Sequence, residues 1–154
     1  MEQAKIDSLQ VVKSLLLQNA TASLSVIDPE TAGPYGALVN VAANHEFCPI
    51  ILVSSLSRHT QALLKDDRAS LMLQSPPPQE GDPLTELRAT VTGHFVKNTD
   101  ADVQETYLKR HPYAELYAGF GDFSFWLMQP EKLYVVAGFG RVYSFDFSDV
   151  QALA

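Results

Sequence analysis

Apolar residues at Ile6, Leu9, Val12 and Leu16 stand three to four apart, the spacing of one helix face, and predict a helix within residues 1–20. The period then changes. Thr21 to Ile27 (TASLSVI) alternates as a strand does and stops at Asp28-Pro29. Tyr35 to Ala43 and Pro49 to Ser55 predict two more strands around the polar turn Asn44-His45-Glu46. Arg58 to Asp67 reads as a short helix with Ser57 as its N-cap, and Ala69 to Gln74 as a strand ended by three prolines. Leu84 to Val96 (LTELRATVTGHFV) alternates over a long stretch, the pattern of a curving barrel strand, with Gly93 a natural place for a bend. Asp100 to Arg110 is helical until His111-Pro112 breaks it before a second turn, YAELY. Phe123 to Met128, Leu133 to Val136 and Val142 to Phe147 complete the strands.

Strands joined by short turns, with helices only as inserts, favour an antiparallel barrel. A parallel sheet needs a crossover after nearly every strand. The expected fold is therefore α+β and mainly β: an antiparallel barrel over residues 21–147 with a few short helices.

With 154 residues, 46% hydrophobic and 19% charged, the chain can bury one real core, and one domain over 1–154 is expected. No apolar run approaches the roughly 18 residues that span a bilayer, and the N-terminus does not read as a signal peptide. The net charge of −7 argues against a nucleic-acid partner. The lone Cys48 excludes an internal disulfide and fits a reducing, cytoplasmic setting.

Only five arginines exist, at positions 58, 68, 88, 110 and 141, and well-placed ones can build an anion site inside an acidic protein. The most informative segment is Val53-Ser-Ser-Leu-Ser-Arg-His-Thr60. Hydroxyls, a guanidinium and free N–H groups at a helix start make a phosphate cradle, although a merely capped helix with an exposed Arg-His pair has the same composition. Arg88, inside the long strand, points either to solvent or into a polar site at the barrel wall. In Ala137-Gly-Phe-Gly-Arg-Val142 the glycines serve either a hairpin turn or a close backbone approach to a flat ligand. In the second case Phe139 stacks and Arg141 reaches an anionic group.

Neither GxGxxG nor GxxxxGK[ST] occurs, no GxSxG elbow supports a hydrolase triad, and His45, His59, His94 and His111 lack metal spacing, so no metal is expected.

The ordered set PYGALV, ILVSSLSRHTQALLKDDRASL, LRATVTG and RHPYAELYAGFGDFSFWLMQPEKLYVVAGFGRV resembles the pyridoxamine 5'-phosphate oxidase-like FMN-binding split-barrel superfamily. Within it the chain is most similar to the haem-utilisation branch. The resemblance covers about Ala22 to Tyr143 and implies a split barrel that works as a homodimer. It implies FMN phosphate contacts at Ser54, Ser55, Arg58, His59 and Thr60. The backbone of Tyr35 and Gly36, continuing to Leu38, would run beside the flavin, with Arg88 bordering it from the partner subunit. His59 stands where the oxidase has a lysine, which suits the haem-utilisation branch, and the GFGR segment resembles one whose arginine lies near haem. No histidine follows His111, so the resemblance implies the barrel without a tail histidine or the oxidase's substrate extension. The leading expectation is an FMN-binding protein, a flavin-dependent oxidoreductase of a small molecule. The alternatives are a haem-binding protein using the same dimer cleft, or a non-catalytic dimer module with a vacant site.

Overall fold

The computed structural model describes residues 2–154. Helix α1 (Glu2–Gln18) leads into β1 (Thr21–Ile27), β2 (Pro34–Asn40), β3 (Ala42–Ala43) and β4 (Pro49–Ser54). Then come α2 (Arg58–Lys65), β5 (Arg68–Gln74), β6 (Arg88–Lys97), α3 (Ala101–Arg110), β7 (Phe123–Val136), β8 (Val142–Asp146) and α4 (Phe147–Gln151). All strand pairs are antiparallel, in the order β2-β1-β5-β6-β7-β4-β3, with β8 beside the far half of β7. Only Val41 separates the first strand of that path from the last, so one stretch of chain holds both ends of the curled sheet. The result is the α+β split barrel that the sequence predicts.

Inward residues of the alternating strands, among them Leu24, Leu71, Leu73, Val91, Phe95 and Leu133, form the main core, closed by Val12, Leu15 and Leu16 of α1 and Phe147 and Val150 of α4. Burying such side chains supplies most of the driving force, at roughly 25 cal/mol per Å². A second cluster of Ile50, Leu52, Val103, Tyr107, Ala114 and Phe125 seats α3 against β4 and β7. Among the described residues no helix is long and apolar enough to cross a membrane.

Several elements depart from the sequence pattern. On α1 the buried face carries Ser8, Val12, Leu15 and Leu16, while Ile6 is exposed. Ser8 is tolerated there because its hydroxyl donates to the Ala4 carbonyl at 2.8 Å. The long strand starts at Arg88 rather than Leu84, because Asp82 accepts a hydrogen bond from the Leu84 N–H and starts a 3-10 turn over Pro83–Thr85. Residues 123–136 form one strand rather than two. Its break in pattern is a bulge that places Gly93 opposite Pro130 and skips Glu131. Pro130 sits in the gap between the β4 and β8 pairings, where its missing N–H leaves no ladder bond unmade on that edge. Helix α4 has no counterpart in the sequence reading. A capping box between Asp146 and Asp149 starts it where strand β8 was expected to continue to Phe147.

Candidate functional site

Tyr35, Ser54, Ser55, Arg58, His59 and Thr60 gather at one end of the barrel, where β4 runs into α2 beside the β1–β2 turn. Ser57 stands at the N-cap position of α2, but its side chain makes no cap bond. The cap is therefore positional only, and the first-turn N–H groups of the helix stay without a side-chain partner. The Arg58 guanidinium donates to Asp28 Oδ2 at 2.6 Å and to Glu30 Oε2 at 3.4 Å, and stacks over the Tyr35 ring at 5.4 Å. Asp28 is buried and is also the hub of its own turn, accepting from the Glu30 N–H and the Thr31 hydroxyl. The hydrogen bond from Arg58 holds the Asp28 carboxyl below its ordinary value, and the same bond raises Arg58.

The serines are engaged within the fold. Ser54 Oγ donates to Asp122 Oδ2 at 2.6 Å and accepts from the Leu56 N–H at 3.1 Å. The Ser55 N–H donates to the Asp122 carbonyl, the Ser57 N–H to the Ser54 carbonyl, and the Ser55 carbonyl accepts from Gln61. Thr60 is different: its hydroxyl is buried and has no hydrogen-bond partner among the described residues. His59 is half-buried, and burial lowers its pKa, so its imidazole is held neutral near pH 7. Gly36 needs no special geometry, since a Cβ there would meet only the Leu24 carbonyl oxygen at 4.0 Å. With the Arg58 guanidinium already paired to the carboxylates of Asp28 and Glu30, and the Ser54 hydroxyl bonded to Asp122, the residues present do not fit a phosphate dianion as they stand.

Arg88, Phe139 and Arg141 lie elsewhere. Ser54 pairs with Phe123 at one end of β7, whereas Arg88 and Val142 pair with Val136 at the other. At roughly 3.3 Å per residue the 14-residue strand separates the two groups by about 40 Å along its length. Arg88 donates to the Leu84 carbonyl at 2.8 Å and so clamps the turn before its own strand. The GFGR segment is a hairpin closed by the Ala137 N–H on the Arg141 carbonyl at 2.8 Å. Gly138 and Gly140 have φ of 134° and 73°, values that favour glycine, and between them Phe139 is 99% exposed. Arg141 is the one arginine whose guanidinium makes no hydrogen bond or ion pair among the described residues.

A groove of about 610 Å³ between α1, β1 and β5, lined by Val11, Leu15, Asn19, Leu38, Met72 and Leu87, contains only Leu38 of the site residues singled out from the sequence. The sequence reading also missed Asp28, Glu30 and Asp122, the carboxylates that engage Arg58 and Ser54. Nothing in the local pattern marks Asp28, which lies thirty residues before its partner.

The fold is a split barrel of the pyridoxamine-phosphate-oxidase-like type. The CREG beta-barrel family model matches residues 5–149, and the chain belongs to that family. The chloroplastic heme oxygenase HOZ of Arabidopsis thaliana is 32% identical over 139 residues, covering 88% of this chain. The chain spans 42% of that relative's length. A heme binding protein from Mycobacterium smegmatis superposes with a TM-score of 0.83 at 24% identity, covering 97% of this chain and 60% of that one. A Clostridium acetobutylicum protein related to general stress protein 26, of the pyridoxinephosphate oxidase family, superposes at 0.67 with 13% identity, over 97% and 99% of the two chains. The last two likenesses are of fold.

Proposed function

We propose that this protein binds haem in a cleft completed by a second copy of the chain. The observation that carries the reading is the hairpin at 137–141, where an Arg141 guanidinium unpaired among the described residues stands beside an almost wholly exposed Phe139. An exposed ring on a glycine-flanked tip, next to a free cation, suits a flat apolar ligand with carboxylate substituents. The relatives that carry haem in their names support the same choice. Haem would supply iron and its redox chemistry, while this chain would orient the macrocycle and hold its anionic edge. The lone Cys48, buried with no second cysteine to pair with, fits a reducing compartment such as the cytoplasm.

The second copy enters because the two groups of site residues lie at opposite ends of β7 in one chain. The outward face of β2, β1, β5 and β6 supplies a surface for it: Gly36, Leu38, Ser23, Ser25, Ser70, Met72, Thr90 and Thr92 carry no charge, and Leu38 is 74% exposed. Two chains of net charge −7 approach most readily where neither presents carboxylates. The groove lined by Leu38 and Met72 adjoins this face. Arg88 of one copy would then border the cleft of the other.

A flavin is the second reading, favoured by the orphaned Thr60 hydroxyl and the uncapped first turn of α2. Under it the protein is an FMN-dependent oxidoreductase. Titrating the purified protein with haem and with FMN separates the readings. A Soret band that saturates at one haem per chain supports the first. Flavin absorbance retained through gel filtration, with no Soret shift, replaces it with the second. Neither response leaves a dimer module without a ligand.

A further inference from the structure

We propose that Asp28 is a specificity residue that masks an anion site at the start of α2 and keeps phosphate-bearing ligands out. Three features of an anion site are present together. The first-turn amides of α2 have no side-chain cap, the Thr60 hydroxyl is buried without a partner, and Arg58 lies on the same turn. Each would favour a phosphate oxygen. What opposes them is a carboxylate from a different element.

Asp28 cannot easily be displaced. Its side chain is 5% exposed and is fixed by the Glu30 N–H at 3.3 Å and the Thr31 hydroxyl at 3.1 Å, both from its own turn. A phosphate that recruited Arg58 would leave that buried carboxylate without its counter-ion, a strongly unfavourable exchange. Glu30 adds a second negative charge at the rim, with its side chain 80% exposed. The half-exposed guanidinium is thus already neutralised by the fold's own carboxylates, and it ties the β1–β2 turn to α2. The inference concerns the end of the barrel opposite the hairpin, so it holds whether or not haem is the ligand.

FMN and riboflavin differ by the phosphate alone, so their affinity ratio reads the mask directly. In the wild-type protein the two are expected to bind within about three-fold of one another. In Asp28→Asn the amide oxygen keeps the acceptor for the Glu30 N–H while the charge is removed, and FMN is expected to gain about ten-fold or more over riboflavin. The double variant Asp28→Asn/Arg58→Ala should lose that gain. Glu30→Gln, at an exposed position, tests the same charge without touching the buried turn and should shift the ratio about two-fold in the same direction; it decides the matter if Asp28→Asn does not fold. Circular dichroism spectra that match the wild type identify the variants that fold. A wild-type preference for FMN of ten-fold or more would overturn the proposal. So would a ratio that moves in neither folded Asp28→Asn nor Glu30→Gln.

Discussion

Gly93 in β6 and Gln129 in β7 approach so closely that a Cβ on the glycine would lie 2.2 Å from the Gln129 carbonyl oxygen. The same Cβ would stand 2.8 Å from the Pro130 Cα, so the obstruction is backbone on both counts. This is the point where the β6–β7 register shifts and the barrel bends. Gly93→Ala is therefore expected to force the strands apart, with a loss on the order of 3 kcal/mol and a Tm lower by roughly 6–12 °C. Thermal melting monitored by circular dichroism checks it. A variant that melts with the wild type would show that the bulge yields freely.

The neighbouring residue carries a pH dependence. His94 Nδ1 stands 2.7 Å from Asp67 Oδ1 and its Nε2 stands 2.9 Å from Glu131 Oε1, so both ring nitrogens face carboxylates. The hydrogen bond to Asp67, with the charges of Asp67 and Glu131, raises its pKa above 6.5. A raised folded value means that the stabilisation is fully present below the unfolded pKa and is lost as pH rises through the folded one. His94→Gln should consequently lower the Tm at about pH 5.5 and leave it nearly unchanged at about pH 8.5. A Tm difference that stays constant across this window would assign His94 a purely steric role.

The contrast between β1 and β7 explains what could be read from the chain. In β1 one face is buried throughout, so alternation marks Thr21–Ile27 at both ends. In β7 the buried parity switches from Trp126 and Met128 to Leu133 and Val135, because Glu131 is the extra residue of the bulge. A local pattern reads such a switch as an interruption, and Pro130 reinforces that reading. Helix α4 was hidden for a related reason: five residues are too few to establish a period. At the site, the strand-to-helix cluster was legible because its residues are contiguous. Its masking carboxylates were not, since Asp28 reaches Arg58 across the fold, and Asp122 reaches Ser54 across 68 positions.

Thr60 offers a separate test of its orphaned hydroxyl. A buried polar group without a partner costs about 1–3 kcal/mol, and valine has nearly the same shape without the hydroxyl. Thr60→Val is expected to raise stability by about 1 kcal/mol, or roughly 2–4 °C in Tm, in the ligand-free protein. If a ligand or a partner copy satisfies the hydroxyl, the gain should shrink or reverse once that partner is bound. Melting with and without haem or FMN distinguishes these cases, and a destabilised ligand-free variant would mean that the hydroxyl has a partner already.

The outward sheet face from Gly36 and Leu38 to Thr90 and Thr92, uncharged between Arg68 and His94 at one end and Arg88 at the other, predicts self-association. Light scattering at micromolar concentration should give twice the 17.0 kDa of the chain. Replacing Leu38, which is 74% exposed on that face, by aspartate places a charge on each approaching surface. Like charges brought together in a desolvated contact are strongly disfavoured, so Leu38→Asp should shift the mass towards that of one chain. Its circular dichroism spectrum should stay that of the wild type, since the side chain packs against nothing in the monomer core. A monomeric wild-type mass would refute the shared cleft.

The hairpin gives the most direct test of the haem reading. Arg141 has no partner among the described residues, so removing its guanidinium leaves no buried group there unpaired and should not change the Tm. If it holds a haem carboxylate, Arg141→Ala loses a charge-assisted hydrogen bond of roughly 1.5–3 kcal/mol, a ten- to hundred-fold weaker affinity. Arg141→Lys keeps the charge but not the fork geometry, and should recover part of the loss. Phe139→Ala should weaken haem by a smaller factor through lost contact with the macrocycle, and should leave riboflavin unaffected. Titration of each variant followed at the Soret band measures these differences. Wild-type haem affinity in both Arg141→Ala and Phe139→Ala would remove the hairpin from the site and, with it, the observation on which the haem reading stands.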